Sequence, residues 1–229
     1  MRFERAVRWM AAGLLTASVP ALAAPTPREL LTQASFGDRA KDQAIARVNA
    51  AAAAAGAALR ASPADREALL MQAMATSYRA KLTGSRSDAI DARRQLESLL
   101  QRDPRNAEAA LALGAWHLGA VYNLGAFMSR AALGARKPVG LASLDRAVAL
   151  GGGRPLYCGI AALLRLQLDP TDPQGRALAE QASRGEPATP LDRILQRSAG
   201  TVLASLRAGD PARTQALAAR LLPFGQLAS

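Results

Sequence analysis

Cysteine, histidine, lysine and aromatic residues are all scarce in this chain. It has a single cysteine, Cys158, so no disulfide can form within it. The single histidine, His117, and that cysteine are too few for a metal site unless carboxylates supply nearly all the ligands. The glycines at 151–153 are not followed by the lysine and hydroxyl of a phosphate-binding loop, and no nucleophile elbow is present. We therefore expect neither an enzyme nor a bound cofactor.

The N-terminus has the three-part pattern of a secretory signal peptide. A basic start precedes an uncharged apolar run at 9–19, which is followed by Pro20 and small residues. This layout predicts a signal peptide over residues 1–23, with cleavage near Ala23 or Ala24; the alternative is a retained N-terminal anchor. The sequence thus predicts a periplasmic or secreted protein.

Basic residues outnumber acidic ones, and the net charge is +11. Removing residues 1–23 removes three arginines and one glutamate, which leaves +9. This excess favours acidic partners in the cell envelope or a peripheral contact with an anionic membrane. A nucleic-acid partner is not expected, because the arginines are spread along the chain and no aromatic platform accompanies them.

The spacing of apolar residues predicts helices almost throughout, with no convincing strand. In residues 96–114 one helix ends at Asp103-Pro104 and a second begins after Asn106, its N-cap. We expect an N-terminal helical segment at 24–63, in which the alanine-rich residues 50–58 form either a helix or a low-complexity stretch. Ser62-Pro63 is expected to start the next helix. A helical-repeat domain is then predicted at 64–229.

Residues 109–129 carry no ionic charge and are apolar on nearly every helical face. This pattern predicts the long central helix of the domain; the alternative is a transmembrane helix. The glycines at 114, 119 and 125 would let neighbouring helices approach closely. A loop is expected at 135–138, followed by a helix from Gly140.

Two groups of residues are candidate binding sites. A small apolar ligand or lipid could bind beside the central helix; the candidate residues are Trp116, His117, Tyr122, Asn123 and Tyr157. A lone histidine among apolar residues is, however, more often a hydrogen-bonded core residue than a ligand-binding one. Arg136 and Lys137 are candidates for partner binding, as a basic patch with Arg130 and Arg154. The alternative is that Arg130, Arg136 and Lys137 satisfy exposed carbonyls near helix C-termini.

Taken in pairs, the expected helices resemble tetratricopeptide-type repeats. Ala92, Leu96 and Pro104 fall on three of that pattern's positions, and Gly140, Leu144 and Ala147 fall on its inner positions. Leu113-Gly114 resembles the leucine-glycine pair of a first helix, but about fourteen extra residues separate it from Leu144 in the usual register. The long helix and the loop 134–137 are similar to the regulator of microtubule dynamics family and to secreted bacterial proteins that accompany substrate-binding transporters.

This resemblance implies an all-α fold of stacked antiparallel helical hairpins, a tetratricopeptide-like solenoid around a long apolar central helix. It also implies a non-catalytic scaffold or accessory subunit that binds a protein partner in an envelope complex. The alternative function is a carrier of a small molecule or lipid with a pocket beside the central helix.

Overall fold

A computed structural model describes residues 24–228 and folds them into α-helices joined by short loops, with no strand in that range. The predicted signal peptide, residues 1–23, lies outside the described residues. The helices are α1 (Pro27–Thr32, continued by a π-helical turn at Gln33–Gly37), α2 (Lys41–Ala61), α3 (Arg66–Thr83), α4 (Arg86–Arg102), α5 (Ala107–Leu133), α6 (Lys137–Leu150), α7 (Pro155–Leu168), α8 (Pro173–Arg184), α9 (Pro190–Ala208) and α10 (Pro211–Leu221).

Local sequence signals set most helix boundaries. Asn106 caps α5, as predicted, by accepting a hydrogen bond from the amide of Ala109 at 2.9 Å. The alanine-rich residues 50–58 are helical, so the low-complexity alternative is wrong. Two predicted helix start positions are also wrong. Asp65, not Ser62, caps α3, and α6 begins at Lys137 because Pro138 fits its first turn.

The helices pack with their neighbours along the chain around two apolar cores that share α5. On α5, Ala109, Leu113 and Trp116 join the core formed with α1–α4. Leu111 and Leu118 join the core formed with α6–α10. The helix that is buried over nearly its whole length is α7, where every residue from Pro155 to Gln167 is buried.

The expectation that residues 109–129 form one continuous buried helix is not met, because the chain reverses within α5. Gly125 has φ +75° and ψ 162°, values that only glycine adopts without strain. The amide of Arg136 then lies 3.2 Å from Nδ1 of His117. Nineteen residues of straight helix would separate these groups by about 28 Å. Residues 107–124 and 126–133 are therefore the two arms of a helical hairpin.

The segment that follows α10 packs against the first described helices. The amide of Phe224 donates to the carbonyl of Ser35 at 2.8 Å, and its ring packs edge-to-face on Tyr78 with centroids 4.9 Å apart. Lys81 Nζ donates to the carbonyl of Pro223 at 2.8 Å. These contacts tie the segment after α10 to α1 and α3. Within residues 24–228, no helix combines the length and apolar character needed to cross a membrane.

Candidate functional site

The turn of the α5 hairpin exposes apolar side chains. Seven consecutive residues, 122–128, are exposed, and we call this segment the α5 tip. Its large apolar residues are Tyr122, Leu124, Phe127 and Met128, which are 42%, 47%, 81% and 54% exposed. Val121 and Ser129, which flank the tip, are buried. Among the residues described, these four are the large hydrophobic side chains that are exposed, and they lie together.

Hydrogen bonds and ring contacts hold the base of the hairpin together. Trp116 Nε1 donates to the carbonyl of Ala89 at 2.9 Å, and its ring stacks edge-to-face with His117, centroids 5.0 Å apart. Arg93 lies 5.7 Å from the Trp116 ring centroid and donates to the carbonyl of Leu133 at 2.9 Å. Burial and the charges of Arg93 and Arg136 lower the pKa of His117 to about 4. His117 is therefore a neutral acceptor near pH 7.

The structure brings together only some of the residues predicted to line a ligand pocket. Trp116 and His117 are adjacent and buried, whereas Tyr122 and Asn123 are exposed in the α5 tip. Tyr157 is buried on α7 in the other core, where its ring packs against Gly151 and the Arg154 guanidinium.

A groove of about 330 Å³ lies elsewhere, between α3 and α4. Leu69 and Leu99 contribute its apolar lining, and Gln72, Gln95 and Ser98 contribute polar groups. None of the five predicted pocket residues lines this groove.

The predicted basic patch is smaller than expected. Arg130, Arg136 and Lys137 are exposed at the base of the hairpin. Arg154 does not join them. It lies beyond the other end of α6, about 20 Å of helix away, and pairs with Asp192 at 2.8 Å.

Other residues satisfy the carbonyls at the end of α5. Arg86 donates to Ala132 at 3.1 Å and Arg93 donates to Leu133 at 2.9 Å. The amides of Gly134 and Ala135 donate to Arg130 and Ser129. The side chains of Arg130, Arg136 and Lys137 do not provide these bonds, so the interpretation that they cap these carbonyls is not supported.

The described residues hold no group of three or more His, Cys, Asp or Glu that could bind a metal ion. Cys158 is fully buried in α7, and burial raises the pKa of its thiol. Comparisons with models of known protein families and with curated proteins give no match. Among the described residues, the α5 tip is the candidate surface that stands out, because its large apolar side chains are exposed together.

Sequence reasoning missed Leu124, Phe127 and Met128 as candidate site residues. The sequence does contain a signal for an exposed segment here, which is the greater length of α5 compared with α4 and α6. The 27 residues of α5 would span about 40 Å if straight, whereas the 17 residues of α4 and the 14 of α6 span about 26 and 21 Å. An apolar helix longer than its neighbours must leave residues uncovered or fold back.

Proposed function

We propose that this chain is a secreted, non-catalytic helical protein of the periplasm, and that it acts as a scaffold or accessory subunit of an envelope complex. In this proposal its hairpins are stacked in the tetratricopeptide-like manner. The outer part of the α5 hairpin, which includes the tip and the second arm, is then an insertion that accounts for the roughly fourteen extra residues between Leu113-Gly114 and Leu144. The tip is the surface through which the protein attaches to the envelope.

The exposure of Phe127 and its neighbours is the observation that supports this proposal. Burying a large apolar side chain contributes about 1.5–3 kcal/mol, so leaving four of them exposed forgoes several kcal/mol of stability. Contiguous exposed apolar patches on soluble proteins commonly mark interaction sites. Hydrogen bonds hold the base of the hairpin: Arg93 donates to the carbonyl of Leu133, and the amide of Arg136 donates to His117. The tip therefore extends from a part of the structure that is fixed by these bonds.

Fractionation of cells that produce the full chain tests this proposal. We compare the share of protein that stays with the envelope after osmotic shock for the wild type and for a Leu124→Ser, Phe127→Ser variant. The matched control is Arg193→Ser, Arg197→Ser, which alters two exposed positions on α9. We expect retention of the wild type and the control and release of the tip variant. Equal retention of all three proteins would contradict the proposal.

A further inference from the structure

We infer that the α5 tip inserts into the headgroup region of an anionic lipid membrane. This inference rests on the proposed function, because it names what the tip contacts when the protein attaches to the envelope. The shape of the tip, the charges around it and the chemistry of its side chains support it.

The shape of the α5 tip suits a lipid surface. The exposed residues 122–128 form the outer end of a hairpin, so exposed aromatic and aliphatic side chains are gathered at one turn. Interfacial protein segments bury apolar side chains about 5–10 Å below the headgroups. The second arm, residues 126–133, is about 12 Å long, so tip insertion would bring its base to the level of the phosphates.

The charges around the tip have the sign that an anionic surface attracts. From residue 109 to residue 144 the sequence has three cationic residues, Arg130, Arg136 and Lys137, and no carboxylate. All three are exposed at the hairpin base, as is Arg86 beside them. Each lysine or arginine close to an anionic membrane strengthens its attraction.

Two carboxylates near these cations, Asp88 and Asp169, accept hydrogen bonds from other residues. Asp88 on α4 pairs with Arg79 at 2.7 Å, which leaves Arg86 without that partner. Asp169 accepts hydrogen bonds from the hydroxyl and the amide of Thr171; these lower its pKa, and the charge of Lys137 adds to the shift. The ionised Asp169 offsets part of the charge of Lys137, whereas neither of these aspartates pairs with Arg130 or Arg136.

The tip side chains favour lipid over a specific protein surface. Specific protein interfaces form about one hydrogen bond for every 100–200 Å² of buried area, and these bonds fix the orientation of the partner. Among the side chains of the tip, only the Tyr122 hydroxyl and the Asn123 amide can form such bonds. Phe, Leu and Met next to a tyrosine and cations are the composition of a segment that enters the membrane interface.

Co-sedimentation with vesicles tests the inference. The full-length protein is mixed with vesicles of phosphatidylcholine alone or with added phosphatidylglycerol, at low and at high salt. We expect binding only to the anionic vesicles, and weaker binding at high salt. The Leu124→Ser, Phe127→Ser variant and an Arg136→Glu, Lys137→Glu variant should each lose binding by more than about tenfold. The control Arg193→Glu, Arg197→Glu has the same change in net charge and should bind like the wild type.

Three results would overturn the inference. They are no binding of the wild type to anionic vesicles, binding of the tip variant to anionic vesicles equal to that of the wild type, or equal losses in the Arg136/Lys137 variant and the α9 control. If vesicles do not bind but envelope retention still depends on the tip, the tip contacts a protein. In that case the proposed function stands and the lipid inference fails. If retention is independent of the tip, the proposed function itself fails.

Discussion

The backbone amide of Arg136 donates a hydrogen bond to Nδ1 of His117 over 3.2 Å. This bond links the first arm of the α5 hairpin to the N-cap residue of α6, just after the second arm. It requires an unprotonated imidazole nitrogen, and burial together with Arg93 and Arg136 lowers the pKa of His117 to about 4. The bond that closes the hairpin therefore forms only while the imidazole of His117 is neutral.

Acid should weaken the protein through His117. Because its pKa is lowered on folding, the unfolded chain binds this proton first, and stability falls as the pH drops from about 6.5 to about 4. We expect this residue to account for a loss of up to about 3 kcal/mol across that range. In His117→Gln, which stays uncharged, this part of the pH dependence should be absent. Chemical unfolding of both proteins at several pH values measures the difference, and parallel pH profiles would contradict the assignment.

The reversal at Gly125 should depend on glycine. At φ +75° and ψ 162°, Gly125→Ala should destabilise the protein by about 1–3 kcal/mol. Gly119→Ala is the control, because a Cβ there meets nothing within 4 Å. In a regular helical turn that change should stabilise by about 0.5–1 kcal/mol. Thermal unfolding of the two variants should thus give shifts of opposite sign, and a Gly125→Ala variant that is stabilised like Gly119→Ala would argue for a straight helix.

Close packing of α5 against α6 should make Gly140 intolerant of a side chain. A Cβ at this position would lie 2.6 Å from Leu118 Cδ2 and 3.0 Å from the Cβ of His117. We expect Gly140→Ala to cost about 1–3 kcal/mol through overpacking. Gly200→Ala on α9 meets nothing within 4 Å and serves as the matched control. A denaturation midpoint for Gly140→Ala equal to that of the control would show that the helices are less tightly packed.

Reversing the charges of Arg136 and Lys137 should leave folding nearly unchanged. Both side chains are exposed, and it is Arg86 and Arg93 that bond the final α5 carbonyls. The Arg136→Glu, Lys137→Glu variant should therefore change stability by less than about 0.5 kcal/mol. Arg93→Ala should cost about 1–2 kcal/mol, because it removes a hydrogen bond and a packing contact with Trp116. The reverse order of these effects in thermal unfolding would restore the capping interpretation.

The sequence predicts most of the fold because helix ends are encoded locally. Prolines in first turns, Asn106 as an N-cap and Gly134 as a C-cap give boundaries at or near those observed. The reversal at Gly125 is different. Gly119 and Gly125 look alike in an uncharged run, and only contacts between residues far apart, such as His117 and Arg136, select the reversal. The exposed tip follows from that contact, so periodicity alone placed residues 122–128 in the core.

The sequence indicates the candidate site only in part. Arg136 and Lys137 stand out in the sequence as cations beside a helix end. Tyr122 also stands out, but as a candidate pocket residue. Phe127 does not, because an aromatic residue in an apolar run is indistinguishable from a core residue until its neighbours in space are known.

Chemical labelling of a cysteine at position 126 tests most directly whether the α5 tip is a docking surface. Ala126 is exposed in the tip, and Ala126→Cys keeps its large apolar side chains. This variant and the control Arg197→Cys are treated with a hydrophilic maleimide, once as purified protein and once in isolated envelopes. Cys158 is fully buried and should contribute little background. We expect rapid labelling of both variants in the purified protein, and protection of Ala126→Cys alone in the envelope. Equal labelling of Ala126→Cys in both settings would contradict docking through the tip.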